Sequence, residues 1–337
     1  MRPALWLLLF AVLAIVLFLA GLAFGPVDLS LAQVWSALVG TSSGDDAALI
    51  VRGVRLPEAI VATVAGSGLA ASGLLMQTLF RNPLAGPDVL GISSGASLGV
   101  AFVLLAGPIT ASLGIPPELL RIVAALAGAL LVLALIVLAD RRVGDGVTLL
   151  IIGLMVGYLC SAVINVLQVM SAAVALKGYV LWGLGSFAVV DPRHLYWFSI
   201  PVLLGAGIAL ALVKPLDALL LGEEYAQSMG VDVPRVRRIG IWTTGLLAGT
   251  ITAFCGPIAF LGLATPHIAR ALLRHGSHRA LMPAALLLGA VLALGCDLIV
   301  RGASAAVALP LNAVTSLLGA PVVLWVLLSG RQWARRT

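Results

Sequence analysis

Long apolar runs are the feature that most constrains how this chain can fold. Ten stretches dominated by Leu, Val, Ile, Ala and Gly alternate with short polar or Pro/Gly-containing breaks. They cover residues 4–24, 57–79, 93–107, 119–139, 147–170, 194–213, 236–254, 257–273, 280–300 and 309–329. Because about 20 helical residues cross the roughly 30 Å of hydrocarbon in a bilayer, the runs predict ten transmembrane helices, spans 1 to 10.

The composition agrees with an all-α polytopic membrane protein. Hydrophobic residues make up 61% of the 337 residues and charged residues 10%, whereas soluble domains carry about 25% charged residues. So few polar side chains cannot form a shell facing water. We therefore expect residues 1–337 to form a single transmembrane domain embedded in a lipid bilayer.

The basic residues determine the predicted orientation. With the N-terminus in the cytoplasm, 14 of the 20 Lys and Arg residues fall at cytoplasmic span ends. The other six, at the outer ends, are Arg52, Arg55, Arg121, Lys177, Arg193 and Arg301. The positive-inside rule favours this orientation, which puts both termini in the cytoplasm. It also accounts for the basic charge without a nucleic-acid partner.

Two Gly-Pro segments indicate an internal repeat. Gly86–Gly91 follows span 2 on the cytoplasmic side, and Gly256–Gly262 follows span 7 on the outer side. Each precedes a short span. Placement on opposite sides suits an inverted-topology repeat, an architecture common among transporters, although Gly-Pro pairs also recur by chance.

The segment Gly91-Ile92-Ser93-Ser94-Gly95 fits the Gly-x-Ser-x-Gly pattern of hydrolase nucleophiles. An intramembrane serine hydrolase using Ser93 or Ser94 with His267 as the base is therefore one alternative. The favoured interpretation is a structural loop and a short helix start beside a pathway, with no catalytic residue. Of the other three histidines, His194 begins span 6 at the outer interface, and His275 and His278 lie in an Arg-rich loop and are interpreted as solvated.

Polar side chains recur at helical spacing in two spans. Span 5 carries Gly157, Ser161, Asn165 and Gln168 on one face, and span 10 carries Asn312, Thr315, Ser316 and Gly319. Such stripes either line a polar pathway or hydrogen-bond neighbouring helices. The sequence leaves both options open.

The cytoplasmic loop between spans 6 and 7 predicts a short helix. Glu223 and Glu224 open it and Gly230 closes it, a pattern that matches the helix dipole and a glycine stop. The helix is either a grip for a motor protein or a plain amphipathic connector. The sequence contains no P-loop motif, so transport energy would come from another subunit.

At the outer span ends, Arg52, Arg55 and Arg301 could meet acidic groups of an outside partner. Local pairing, of Arg301 with Asp297 and of Arg55 with Glu58, is the simpler interpretation. Cys160, Cys255 and Cys296 lie alone in apolar runs, so neither a metal site nor a bound cofactor is expected.

Several segments together resemble one family. They are Arg55-Leu56-Pro57; Gly73–Gly99, with Gln77, Arg81-Asn82-Pro83-Leu84-Ala85 and Leu90–Ala96; Gly222–Gly230; Gly256–Arg270, with Pro266–Arg270; and Leu309-Pro310 through Gly319-Ala320-Pro321. Their order resembles the FecCD-type permease subunits of binding-protein-dependent ABC importers for iron–siderophores, haem and cobalamin.

The resemblance implies a homodimer in the bacterial inner membrane, two cytosolic ATPase subunits and a periplasmic binding protein. Asn82 and Leu84 would form one inner gate, and Gly146 and Val147 a second. Residues Glu223, Glu224, Ala226 and Gly230 would couple to the ATPase. Gly157, Ser161, Asn165, Gln168, Asn312 and Ser316 would line the pathway. Arg52, Arg55 and Arg301 would dock the binding protein.

The chain departs from the family pattern at two places. Some members carry a basic residue where this chain has Glu58, and the second gate often holds Ser or Thr where this chain has Gly146 and Val147. The expected cargo is a ferric siderophore, with haem or cobalamin as alternatives. An ion-coupled secondary transporter is a further alternative.

Overall fold

The computed structural model describes residues 3–40, 46–106, 114–143, 145–274, 276–302 and 309–333. Within these residues the chain is helical and has no strand. The helices are α1 (Pro3–Ala23), α2 (Leu31–Val39), α3 (Asp46–Ile50), α4 (Leu56–Leu79), α5 (Ile92–Leu105), α6 (Pro117–Val143), α7 (Gly146–Met170), α8 (Ala173–Gly183), α9 (Leu195–Ala211), α10 (Val213–Leu220), α11 (Glu223–Ser228), α12 (Val233–Cys255), α13 (Leu261–Leu273), α14 (His278–Gly302) and α15 (Leu311–Trp333).

Each predicted span coincides with one of these helices: α1, α4, α5, α6, α7, α9, α12, α13, α14 and α15. Among the described residues, six segments are long and apolar enough to cross a bilayer by length and composition: Pro3–Ala23, Asp46–Leu79, Pro117–Val143, Gly146–Met170, Pro192–Ala211 and His278–Gly302. The all-helical, polytopic character is confirmed. The number of crossings, the side on which the termini lie and the inverted repeat stay predictions.

Short helices also form outside the ten predicted spans. Helix α2 begins at Ser30, whose side chain accepts a hydrogen bond from the Gln33 N–H while the Gln33 side chain accepts one from Ser30. This reciprocal capping box satisfies backbone donors at the helix start. Helix α3 continues into α4 through the π-helical turn Val51–Arg55. Helices α8 and α10 are likewise additions.

Helix α4 lies at the centre of one group of helices. It packs against α9, α12, α13 and α14, and most of its residues are buried. A methyl group added at Gly66 would overlap the backbone of Gly289, and one added at Gly73 would overlap the backbone of Gly262. The absent side chains let the backbones touch, as is common in membrane helix packing.

A second group of helices forms around α5, which packs against α6 and α7. Gly95 and Gly128 face each other so closely that a methyl group at either would overlap the other's carbonyl. At the periphery, α1 packs on α14 and α15 packs on α13 and α14. The glycine-rich and small-residue stretches of the sequence therefore mark the closest helix contacts.

Candidate functional site

The polar stripe of α7, defined as Gly157, Ser161, Asn165 and Gln168, lies on the outside of the single chain. Ser161 and Asn165 are exposed, and Gly157 and Gln168 are half-buried. Ser161 Oγ donates to the Gly157 carbonyl at 2.9 Å. An exposed asparagine on a membrane-crossing helix is unfavourable against lipid, so this face requires water or another protein surface.

Helix α7 rests directly on the loop that precedes α5. Gly91 has φ of 73°, and a methyl group there would lie 2.7 Å from the Gly153 carbonyl oxygen. A methyl group at Gly157 would lie 3.3 Å from Ser94 Oγ. Gly91 thus has two reasons to be glycine: the left-handed conformation and the close helix crossing.

The geometry does not favour the serine hydrolase. Ser93 Oγ donates to Asp88 Oδ1 at 2.8 Å and lies 3.3 Å from Thr252 Oγ1. His267 Nε2 lies 2.7 Å from the carbonyl oxygen of Pro83. His267 therefore binds the backbone instead of a serine, and Ser93 joins the loop to α12.

The first predicted gate, Asn82 and Leu84, lies in a tight turn after α4. Asn82 Oδ1 accepts a hydrogen bond from the Leu84 N–H at 2.9 Å, and Leu84 is exposed. The contact of His267 with the Pro83 carbonyl also stabilises this turn. One turn earlier on α4, Gln77 Oε1 accepts from Arg270 Nη1 at 2.6 Å.

The second predicted gate, Gly146 and Val147, begins α7. Asp145 caps this helix by accepting from the Thr148 hydroxyl at 2.7 Å and from its N–H at 2.8 Å, which lowers the pKa of Asp145. Val147 is exposed. A methyl group at Gly146 would lie 3.2 Å from the Phe80 ring, so the side chain that follows α4 reaches the start of α7.

Phe80 therefore connects the two predicted gates. The Arg237 guanidinium lies 5.6 Å from the centre of the Phe80 ring, and Arg237 Nε lies 3.1 Å from Asp140 Oδ1. These contacts join the end of α4, the end of α6 and the beginning of α12 at one place. The structure brings both gate segments together on the predicted cytoplasmic side.

Helix α11 presents most of its surface outward. Glu223 and Glu224 are exposed, and Ala226 is fully buried. Gly222 and Gly230 adopt φ of 118° and 83°, so both ends require glycine. Exposed Tyr225 and Met229 give the helix apolar as well as acidic surface. Arg81, next to the first gate, pairs with Glu223 at 3.8 Å.

Helix α10, just before α11, is tied to α14 by Asp217. Asp217 Oδ1 accepts from His278 N–H at 2.5 Å and lies 2.9 Å from His278 Nδ1, while Oδ2 accepts from Ser277 Oγ at 2.9 Å. Burial alone would raise the pKa of Asp217, but these hydrogen bonds outweigh burial and hold the pKa below its usual value.

His278 is 1% exposed, so its interpretation as a solvated loop residue is wrong. Its Nε2 lies 2.8 Å from Thr78 Oγ1 near the end of α4. Pairing with Asp217 and Thr78 explains how a histidine in an Arg-rich segment becomes buried. His275 lies outside the described residues.

At the predicted outer end, two of the three arginines are committed to internal contacts. Arg55 is 3% exposed and donates to the carbonyls of Leu22 and Ala23 at 3.0 and 2.7 Å. Arg301 pairs with Asp297, which confirms the local pair. It also lies 3.3 Å from Glu58, so Glu58 pairs with Arg301 instead of Arg55.

Arg52 differs from these two because it is exposed. Its Nε donates to the Ala37 carbonyl at 2.5 Å, which links the π-helical turn to α2. Of the three predicted docking arginines, Arg52 alone presents its side chain to the outside in the described structure.

Asn312 at the start of α15 is a connector in this structure. Its side chain accepts from the Ala259 N–H at 3.0 Å and donates to the carbonyls of Gly183 and Pro257 at 3.1 and 2.7 Å. With these three bonds its amide joins the end of α8 to the entry of α13. This geometry matches the helix-linking option. Ser316, one turn later, is half-buried.

The sequence profile of the FecCD transport family matches residues 13–329. This chain belongs to the FecCD transport family. The resemblance noted in the sequence is therefore confirmed over nearly the whole chain, and the protein is a permease of the ABC-importer type, a transport subunit by class.

Other FecCD proteins match along most of their length. The vitamin B12 import system permease protein BtuC of Klebsiella pneumoniae is 37% identical over 283 residues, covering 84% of this chain and 83% of the relative. The hemin transport system permease protein HmuU of Yersinia pestis is 35% identical over 337 residues, covering 98% and 97%. A solved inward-facing structure of a proposed metal-chelate type ABC transporter aligns with a TM-score of 0.82 and 29% identity, covering 96% of this chain and 98% of its own.

Sequence reasoning missed several residues that organise the FecCD site. The sequence pattern alone suggested no role for Phe80, Arg237 or Asp217. Each acts through a partner distant in the chain, such as His278 for Asp217. A charged or aromatic residue adjoining a predicted gate or coupling helix was the available signal.

Proposed function

We propose that this FecCD permease works as a homodimer in the bacterial inner membrane and imports a metal chelate between two copies of α7. The exposed polar stripe of α7 carries the proposal. Ser161 and Asn165 face out of the single chain on a helix long and apolar enough to cross a bilayer. A second copy placed there would shield the stripe from lipid and leave a polar corridor.

Two constrictions would close this corridor on the cytoplasmic side. Exposed Leu84 and Val147 supply apolar groups, and Asn82 fixes the turn that holds Leu84. Phe80 packs against Gly146, so the two constrictions would move together. Opening would require both constrictions of one copy to move away from those of the other copy.

Helix α11 would receive the ATPase. Its acidic and apolar outer surface, anchored by buried Ala226, is a rigid protrusion suited to a protein contact. Glu223 reaches Arg81 beside the first gate, and α10 reaches the end of α4 through Asp217, His278 and Thr78. Movement of α11 would thereby act, through two contacts, on the segment that leads into the gate turn.

A periplasmic binding protein would dock at the outer end. Exposed Arg52 is the best placed of the predicted contacts, because an arginine can pair with a carboxylate in two hydrogen bonds. Arg55 and Arg301 would support that surface from within.

A metal chelate is the proposed cargo class. A ferric siderophore is the cargo expected from the sequence, whereas the names of the relatives support cobalamin or haem more directly. Binding of each chelate to the cognate binding protein, followed by uptake into proteoliposomes, would separate the three.

The reconstituted complex tests the proposal. Proteoliposomes with the ATPase and binding protein should accumulate the chelate when ATP is supplied. Replacing Glu223 and Glu224 by Arg should abolish most of the uptake, because the ATPase contact reverses charge. Glu118→Arg, on the opposite side of the membrane in the predicted topology, is the control and should retain uptake. Uptake that persists without any ATPase subunit would instead favour an ion-coupled secondary transporter.

A further inference from the structure

An apolar groove of about 660 Å³ runs between α6, α9 and α12. Both α6 and α9 pack on α12, and the groove separates them. Its sides include Val123 and Leu130 of α6 and Trp197 of α9, all more than half exposed. The proposed pathway on α7 does not use this groove.

The groove lies between helices of the membrane domain, and this position determines which kind of molecule can bind in it. Helix α6 and the segment Pro192–Ala211 are both long and apolar enough to cross a membrane, so the groove opens toward hydrocarbon instead of water. If the groove were empty, the side chains that line it would lose dispersion contacts. A flexible hydrocarbon chain is the molecule that the surroundings supply.

One end of the groove is polar. His194, where α9 begins, lines this end, and its Nδ1 is buried without a hydrogen-bond partner among the described residues. An unsatisfied buried polar atom costs about 1–3 kcal/mol. An oxygen from an ester or phosphate group could satisfy the imidazole. The occupant that matches both features therefore has an apolar tail and an oxygen-rich head.

We propose that the groove binds one membrane phospholipid, with an acyl chain along α6, α9 and α12 and a headgroup or ester oxygen at His194. The volume is adequate. If each heavy atom occupies about the 30 Å³ of a liquid water molecule, the 660 Å³ groove holds roughly twenty such atoms, close to one acyl chain. The bound lipid would bridge α6 and α9.

Native mass spectrometry of the detergent-purified, delipidated chain, titrated with phosphatidylglycerol, tests the site. The wild type should bind one lipid tightly. Leu130→Trp fills the groove and should weaken this binding roughly tenfold or more. Leu131→Trp is the matched control, since Leu131 is similarly exposed but does not line the groove. Equal binding by both variants, or no tight lipid on the wild type, would overturn the proposal.

A second measurement avoids any folding defect of the Trp variants. A phosphatidylglycerol with a photoactivatable diazirine on its acyl chain is incorporated into vesicles with the wild-type chain and irradiated. The proposal expects labelled peptides from α6, α9 and α12 to dominate. Labelling spread evenly over exposed helices such as α1 would show ordinary annular lipid and refute a specific site. His194→Leu should reduce the mass-spectrometric affinity while leaving the labelled peptides the same.

Discussion

Gly73 illustrates how single residues determine the helix contacts of this chain. A methyl group at this position would overlap the carbonyl oxygen of Gly262 on α13, and the backbone on both sides is helical. Neither backbone can retreat without disturbing the buried neighbours of α4. The two helices are thus held at a separation that permits no side chain between them.

Gly73→Ala should therefore destabilise the chain strongly. We expect a loss of about 3 kcal/mol or more in the free energy of unfolding, because overpacking here acts on backbone atoms. Thermal unfolding in detergent measures the effect. Gly178→Ala in α8 is the matched control, since a methyl group there meets nothing within 4 Å, and it should be neutral or slightly stabilising. Similar melting temperatures for the two variants would contradict the argument.

Asp217 gives a prediction with a defined pH dependence. Asp217→Asn should cost about 1–3 kcal/mol at pH 7, because a charged acceptor of three hydrogen bonds is lost. The pKa of Asp217 is lowered in the folded chain. Its contribution is thus complete above the unfolded carboxyl pKa of about 3.9 and is lost as pH falls through the lower folded pKa.

Melting temperatures of the wild type and Asp217→Asn, measured from pH 7 down to pH 3, test this linkage. The difference should grow as the pH falls through the histidine range, because the Asp217 carboxylate favours the protonated form of the His278 imidazole that it contacts, and it should shrink below about pH 4. If the difference in melting temperature at pH 3 were as large as at pH 7, the carboxylate charge would not be what stabilises the link between α10 and α14.

At the scale of elements, α11 and the first proposed gate meet through an exposed ion pair, Arg81–Glu223. Such pairs contribute only about 0–1 kcal/mol to stability. We expect Arg81→Glu to leave the melting temperature nearly unchanged yet to reduce ATP-driven uptake several-fold. The double variant Arg81→Glu with Glu223→Arg should recover part of the uptake.

Glu224 provides the control for that charge swap. It is exposed on the same helix, and among the described residues it forms no ion pair within 4 Å. Arg81→Glu with Glu224→Arg should not recover uptake. Equal recovery with either partner would show that net charge on α11 matters and the specific pair does not.

The side-chain amide of Asn312, at the start of α15, links the end of α8 to the segment before α13. Asn312→Ala removes hydrogen bonds to Gly183, Pro257 and Ala259 and should lower the free energy of unfolding by about 2–4 kcal/mol. The melting temperature and the ATP-driven uptake should both decrease. Ser316→Ala, one turn along the same helix, should leave stability within about 0.5 kcal/mol. Lower uptake by Asn312→Ala with unchanged stability would indicate a pathway residue instead.

How well each helix could be predicted depends on how strongly its own local sequence specifies it. Long apolar runs predicted the ten principal helices, because hydrophobic length is a local property. Helix α8, only 11 residues, and the turn from α3 into α4 carry no such signal. Helix α2 did carry a local signal, the Ser30–Gln33 capping box.

At the scale of the whole molecule, the exposed face of α7 is the strongest reason to expect a second copy. Asn165→Cys should cross-link to its counterpart across the dimer under mild oxidation or with a short bis-maleimide. The natural cysteines Cys160, Cys255 and Cys296 are buried, and a variant with all three replaced by Ala removes their background. Dimer bands on denaturing gels are the readout.

Tyr196→Cys on α9 is the control for this experiment. Its side chain is 74% exposed, on a helix outside the proposed interface. We expect cross-linking at position 165 to exceed that at position 196 by about tenfold or more at equal protein density in vesicles. Equal yields would indicate random collision and count against the dimer.

The candidate site was predictable where motifs are contiguous. The turn at Asn82, proposed as a gate, and the short helix at Glu223, proposed for coupling, occur as local patterns, and the structure contains both the turn and the helix. The connections between them depend on residues far apart in sequence, such as Thr78 with His278 and Phe80 with Gly146. Local propensity contains no information on such pairs, because tertiary packing alone brings them together.

The direct backbone contacts of Gly66 with Gly289, and of Gly95 with Gly128, have a mechanical consequence. Surfaces that interlock without side chains between them cannot slide, since any axial displacement drives carbonyls into the opposing chain. We therefore expect α4 and α14 to move as one unit, and α5 and α6 as another. Any relative movement of the two pairs would have to be accommodated at α12, which packs against both α4 and α6.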